Sequence, residues 1–104
     1  MKEVKAIIQA FKVDAVLNAL HHIENLPVLA LSEVQSIDTS HGGALEARQS
    51  AKIELMVPDT QVEEVVQAIE KASHTGNPGD GRIFVFPIEE SVLIRTGERG
   101  EHAR

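Results

Sequence analysis

An α+β domain, in which two βαβ units share an antiparallel sheet, is the fold this sequence predicts. Three observations lead there. A shift of 49 residues lays Val13 to Leu20 on Val62 to Ile69 with every apolar position matched except Ala15. The matched residues recur at i, i+3, i+4 and i+7, the stripe of a helix with one covered face. A run rich in β-formers stands before and after each stripe, as a repeated strand-helix-strand unit requires.

The elements follow in order. Val4 to Ile8 is the first strand, and the same shift places it on Ile53 to Val57. The first helix carries Val13, Val16, Leu17 and Leu20 inward, and Val28 to Val34 reads as the second strand. Pro58 ends the third strand because it has no N–H to give a ladder. Thr60 and Glu63 have the spacing of a capping box, which would start the second helix. That helix buries Val62, Val65, Val66 and Ile69, and Ile83 to Phe86 is the fourth strand. The pattern is ferredoxin-like. Ser91 to Arg95 reads as a last short strand, at a sheet edge or against a neighbouring subunit.

Composition narrows the class. The chain has 104 residues, 42% of them hydrophobic and 25% charged, which fits one ordinary folded domain spanning 1–104. A core this small gains from oligomerisation. A formal net charge of -6 argues against a general nucleic-acid or anionic-membrane surface, since either needs clustered Lys and Arg. Cysteine is absent, so there is no disulfide frame and no thiolate metal site. No apolar run approaches membrane-spanning length and no secretory signal is evident, so a cytoplasmic protein is expected.

Two segments stand outside the regular pattern. Ser36 to Ser50 has no sustained period and contains Gly42-Gly43, so it is expected as a mobile loop, or else as a solvated hairpin extension. Thr75-Gly76-Asn77-Pro78-Gly79-Asp80-Gly81-Arg82 sets three glycines within six residues and a cation just before a strand. Glycines let backbone N–H groups converge on an anion, and Arg82 offers a rigid two-pronged donor to phosphate oxygens. The alternative is a turn whose glycines meet only a positive φ. Asp80 carries the wrong sign for phosphate and is expected to cap its own loop, with a magnesium role left open.

Long pieces of the chain match a known pattern: Met1 to Lys12, Ser32-Glu33-Val34, Lys52 to Leu55, Thr75 to Val85, and Ile94 to Gly100. On these it resembles the P-II signal-transduction family. The resemblance implies a homotrimer with adenine nucleotides, ATP, ADP or AMP, in the clefts between subunits, and it implies no direct membrane insertion. It implies a partner loop at 36–50, a glycine loop at 74–82, and a C-terminal segment at 95–104 that closes over the nucleotide. Carried over by position, Gly79, Gly81 and Arg82 would hold phosphates and Arg95 would add charge from a neighbouring chain. Ile7 and Met56 would border base and ribose, with Glu54 near the ribose. The bland role for Arg95 is an ion pair.

The departures are equally specific. Leu93 stands where relatives place a second phosphate-binding arginine, Ser50 where a lysine approaches the phosphates, and Ala30 where a hydroxyl lies near adenine. Two fewer cations shift expectation from ATP towards ADP or AMP. The 36–50 loop is about nine residues shorter than in nitrogen-regulatory members. No tyrosine exists to be nucleotidylated, so the classical nitrogen-sensing route is not expected. The chain looks most like short-loop P-II-like proteins, some linked to heavy-metal efflux.

That link gives an alternative: a trimeric metal-responsive module using histidines. The five are His21, His22, His41, His74 and His102, and a threefold axis could gather three copies of one. Solvent exposure is the bland role. No nucleophile elbow, metalloprotease helix or Walker loop is present, so no catalytic residue is expected. The function expected is a non-enzymatic signal-transduction regulator, in the setting of nitrogen regulation, that binds an adenine nucleotide and controls a transporter or enzyme through loop conformation.

Overall fold

The computed structural model describes residues 1–26, 28–41 and 43–100, and of Ser40 and His41 only the backbone. The order is β1 (Lys2–Gln9), α1 (Val13–His21), β2 (Ala30–His41), β3 (Ala44–Val57), α2 (Val62–Ser73) and β4 (Gly81–Pro87). The sheet runs β2-β3-β1-β4, and every neighbouring pair is antiparallel. Each helix therefore crosses between strands that run parallel but are not adjacent, because a strand of the other unit lies between them. The predicted ferredoxin-like double βαβ is the observed fold.

The repeat extends further than its apolar stripe. A 3-10 turn at Ala10–Lys12 leads into α1 and its counterpart at Asp59–Gln61 leads into α2, again 49 residues apart. Strand alternation sends Val4, Ala6 and Ile8 of β1 and Ala51, Ile53, Leu55 and Val57 of β3 to one face. Val16 and Leu20 of α1 and Val65 and Ile69 of α2 meet them there and complete the core. Among the described residues no helix covers the opposite face. Phe84 and Phe86 stack on that face with ring centroids 6.2 Å apart, and each keeps about two-fifths of its surface in solvent (39% and 41%).

Several local expectations are corrected. β2 begins at Ala30, opposite Glu54, and leaves Val28 outside the strand and exposed. Of the two expectations for Ser36 to Ser50, the hairpin extension is the one observed: the segment is the outer part of a β2–β3 hairpin, paired through Asp38 and Glu46 with a register shift before His41 and Ala44. Its inner side is formed by Ser36, Asp38 and Arg48, half-buried, and Ser50, buried; all four are polar, so this alternation leaves no apolar period in the sequence. With this long hairpin the radius of gyration is 15.1 Å, where about 13 Å would suit a compact chain of this length.

Thr60 forms no cap, because the 3-10 turn has already taken it in, and no side chain caps α2 at Gln61. Asp59 beside it accepts from the N-terminal amine and from Lys2 Nζ at 3.1 Å, which together hold its carboxyl below the usual range. Ser91 to Arg95 makes no strand either. Val92 bridges Arg99, and Gly97 donates to the Leu93 carbonyl at 2.7 Å, which folds this piece into a tight turn. Among the described residues no helix is long and apolar enough to cross a membrane.

Removing a fully buried branched side chain from this core leaves a cavity. Ile53→Ala is expected to lower unfolding free energy by about 2–5 kcal/mol, whereas Thr60→Ala should stay within ~0.5 kcal/mol. Denaturant midpoints of the two variants would measure this, and a comparable loss from Thr60→Ala would restore the capping box.

Candidate functional site

The glycine loop joins α2 to β4 and is organised by one carboxylate. Asp80 accepts from the Thr75 amide at 2.8 Å, the Gly76 amide at 2.9 Å, the Thr75 hydroxyl, and Gln9 Nε2 at 3.1 Å. The Thr75 hydroxyl, then the Thr75 and Gly76 amides, bring its carboxyl down from 3.8 to about 2. With four donors on its two oxygens, Asp80 ties the loop together and to the end of β1. This is the capping role expected from the sequence.

Gly81 has a stricter reason to be glycine than anion binding. Its φ is +110°, and a Cβ there would lie 1.9 Å from the Ile7 carbonyl oxygen, which is backbone and cannot swing aside. Gly79 has φ +94°, and a Cβ there would meet the Arg48 guanidinium at 2.1 Å. The loop is thus pressed between central strand β1 on one side and a side chain of the hairpin on the other.

A hollow of about 610 Å³ opens where these parts meet, on the sheet face away from the helices. Ile7, Gly79, Gly81 and Arg82 line it together, with Ser36, Arg48 and Ser50 from the root of the hairpin. Four of the seven residues expected at the site therefore converge. Glu54 and Met56 lie further along the same face, in a second hollow of about 410 Å³ with Ala30 and Phe86. There Glu54 is engaged by Lys52 at 3.7 Å and Lys5 at 4.0 Å. Arg95 lines neither hollow and stands exposed on the turn at 94–96, while residues 101–104 of the expected closing segment lie outside the described residues. Within one chain the seven positions form two clusters and an outlier.

Arg48 escaped the sequence reading. Its Nη1 donates to the Pro78 carbonyl at 3.3 Å, and its Nη2 lies 3.6 Å from Asp38 and 3.5 Å from Glu46. Its Nε is buried with no hydrogen-bond partner among the described residues. Two signals were available. Gly42-Gly43 is a hairpin-type dipeptide between β-formers, and once the strand is extended Arg48 falls two residues before Ser50, on the same face.

Among the described residues, the histidines do not gather. His21 and His22 sit exposed at the end of α1, His22 Nδ1 lies 2.8 Å from the Asn18 carbonyl, and His74 is exposed beside Asp80. The side chain of His41 and the whole of His102 lie outside the described residues. Among the described residues no three potential ligands are grouped to hold a metal ion.

Comparison with known sequences shows the family. The profile of a family described as Nitrogen regulatory protein P-II matches residues 1–98. The chain is 42% identical to a nitrogen regulatory protein P-II of Rhodospirillum rubrum and 40% identical to one of Azospirillum brasilense, each over 99% of both chains. It is 35% identical to one of Haemophilus influenzae with the same coverage. Each alignment spans 112 columns against 104 residues, so at least eight columns have no residue of this chain.

The loop geometry makes two expectations. Gly81→Ala should cost about 3 kcal/mol of stability from backbone strain and overlap, measured by denaturant unfolding without any ligand; an unperturbed midpoint would show that β4 can move off Ile7. Because the Asp80 carboxyl is depressed on folding, its anchoring is complete above its ordinary value of 3.8 and lost as pH falls through about 2. Hydrogen exchange at the Thr75 and Gly76 amides should quicken over that window, and Asp80→Asn should remove the pH dependence. An Asn variant with the wild-type profile would contradict the assignment.

Proposed function

This chain belongs to the nitrogen regulatory protein P-II family, a family of signal-transduction regulators, and we propose that it works as a homotrimer in the cytoplasm, binding an adenine nucleotide and reporting its presence to a partner protein through the β2–β3 hairpin. One observation carries the reading. The glycine loop, the Arg82 cation and the root of the hairpin border a single hollow. A ligand held there touches the element that would meet the partner.

The phosphate tail would lie against Gly79, Gly81 and Arg82, with Ile7 beneath it. Arg82 suits that task, because a planar guanidinium offers two parallel donors to adjacent oxygens. Glu54 and Met56, in the second hollow, and Arg95, on its exposed turn, would complete the site from neighbouring protomers. The uncovered sheet face, with Phe84 and Phe86 half in water, supports association, because apolar surface of that kind is normally covered in an assembly. Neutral Leu93 and Ser50 favour ADP or AMP over ATP; magnesium has no dedicated ligand in this scheme.

Signalling then requires only that the nucleotide prefer one hairpin arrangement. It shifts the balance by the difference in its affinity for the two, and a bound partner must change nucleotide affinity by the same factor. No chemistry on the nucleotide is needed.

Calorimetric titration of ADP, AMP and ATP tests the reading. Binding is expected in the wild type and should weaken roughly 10- to 100-fold in Arg82→Ala, the equivalent of one charge-assisted contact. Sedimentation should give a particle of three chains. Absence of nucleotide heat, or a monomer throughout, would refute the corresponding half of the proposal.

A further inference from the structure

We infer that the uncharged side of the β2–β3 hairpin is a docking surface for an amphipathic helix of the partner protein, laid along the strands as a continuation of the layer that α1 and α2 form. The inference rests on the proposed reading of the hairpin as the element that meets the partner, and it names what the partner brings.

The hairpin sorts its charges. Between Gln35 and Gln49 the Asp, Glu, Lys and Arg residues are Asp38, Glu46 and Arg48. Strand alternation puts all three on the side of Ser50, the open face of the sheet. The other side is given by Gln35, Ile37, Leu45, Ala47 and Gln49, none of them charged. Ile37 stands opposite Ala47, and Ile37 and Leu45 are 57% and 73% exposed. For a hairpin with water on both sides this is unfavourable, because a charge on the second side would guard a long edge strand against wrong pairing. Large apolar side chains left together in solvent mark a surface that something else covers.

Continuity identifies the occupant. Along β3 the uncharged side runs on into Ala51 and Ile53, which lie in the core beneath the helices at 3% and 0% exposure. Helix cover therefore ends between Ala51 and Gln49, while the same side of the same two strands goes on. The turn at 10–12 that leads into α1 touches β3, and Phe11 on that turn is 70% exposed, an apolar side chain at the margin of the uncovered stretch. Leu45 to Ala51 spans ~20 Å of strand, the length of a helix of about 13 residues. Two strands of that length offer roughly 200 Å², against the roughly 800 Å² per partner that holds a stable dimer. A second copy sharing only this stretch falls short, whereas a partner's helix adds it to other contacts and stays reversible. The net charge of -6, with Glu33 on the same side and Asp14 in the first turn of α1, favours lysine and arginine on the flanks of that helix.

The test uses the full chain, labelled at its isoleucine and leucine methyl groups. The probe is a synthetic helical peptide of about 14 residues with one leucine stripe and lysines elsewhere, and its control has the same composition scrambled to break the stripe. The striped peptide should shift the Ile37 and Leu45 methyl signals saturably, and the scrambled one should bind about 10-fold more weakly or less. Leu45→Gln combined with Ala47→Gln, both at exposed positions, should weaken the striped peptide by about 10-fold at an unchanged denaturant midpoint and unchanged ADP affinity. Equal effects of the two peptides, or shifts confined to other surfaces, would overturn the inference. So would methyl shifts that grow with protein concentration alone, which would give the surface to a second copy. Protection of β2 amides without methyl shifts would also overturn it, in favour of an extended strand added at the sheet edge. ADP calorimetry on the same samples keeps the two readings apart: stripe-dependent binding without ADP heat would leave this surface standing and remove the nucleotide, and ADP heat without stripe-dependent binding would do the reverse.

Discussion

Where Gly81 passes β1, the Ile7 carbonyl oxygen comes so near that a single added carbon would overlap it. That approach sets where β4 begins, and so where the glycine loop must stop and turn. Since β1 lies between β3 and β4, the loop is brought to the open face of the sheet beside the strand that continues into the hairpin. The hollow, the placement of Arg82 over it, and the reach of Arg48 from β3 all depend on this one backbone contact.

A fold in which both helices cover the same face leaves the other face to do something else. Here that face carries two hollows, a cluster of Lys5, Lys52 and Glu54, and a stacked pair of phenylalanines. Neither hollow alone contains every expected contact, so the proposed site would have to be completed between copies. Oligomerisation and ligand binding would then share one surface, and covering the apolar part would complete the polar part.

The two irregular segments also prove to be one system. Asp80 gathers the glycine loop from inside, and Arg48 touches it from the hairpin. The hairpin is held by cross-strand pairing and by the Arg48 contact to the Pro78 carbonyl, not by an apolar core, so electrostatic changes at Asp38, Glu46 and Arg48 carry weight there.

The sequence by itself determined the two-unit fold, because burial on one face writes its period into the chain: 2 in β1 and β3, 3.6 in α1 and α2, repeated at 49 residues. It determined Gly79, Gly81 and Arg82 as one motif, since a loop needs no distant partner to be recognised. Tertiary structure alone decided the rest. The hairpin at 36–50 carries no apolar period because its inner residues, Ser36, Asp38, Arg48 and Ser50, are polar, and Thr60 lost its cap to a turn that local spacing cannot distinguish from a helix start. Arg48 met Gly79 only because strand order sets residues 31 apart side by side, a closeness that no neighbouring residue encodes.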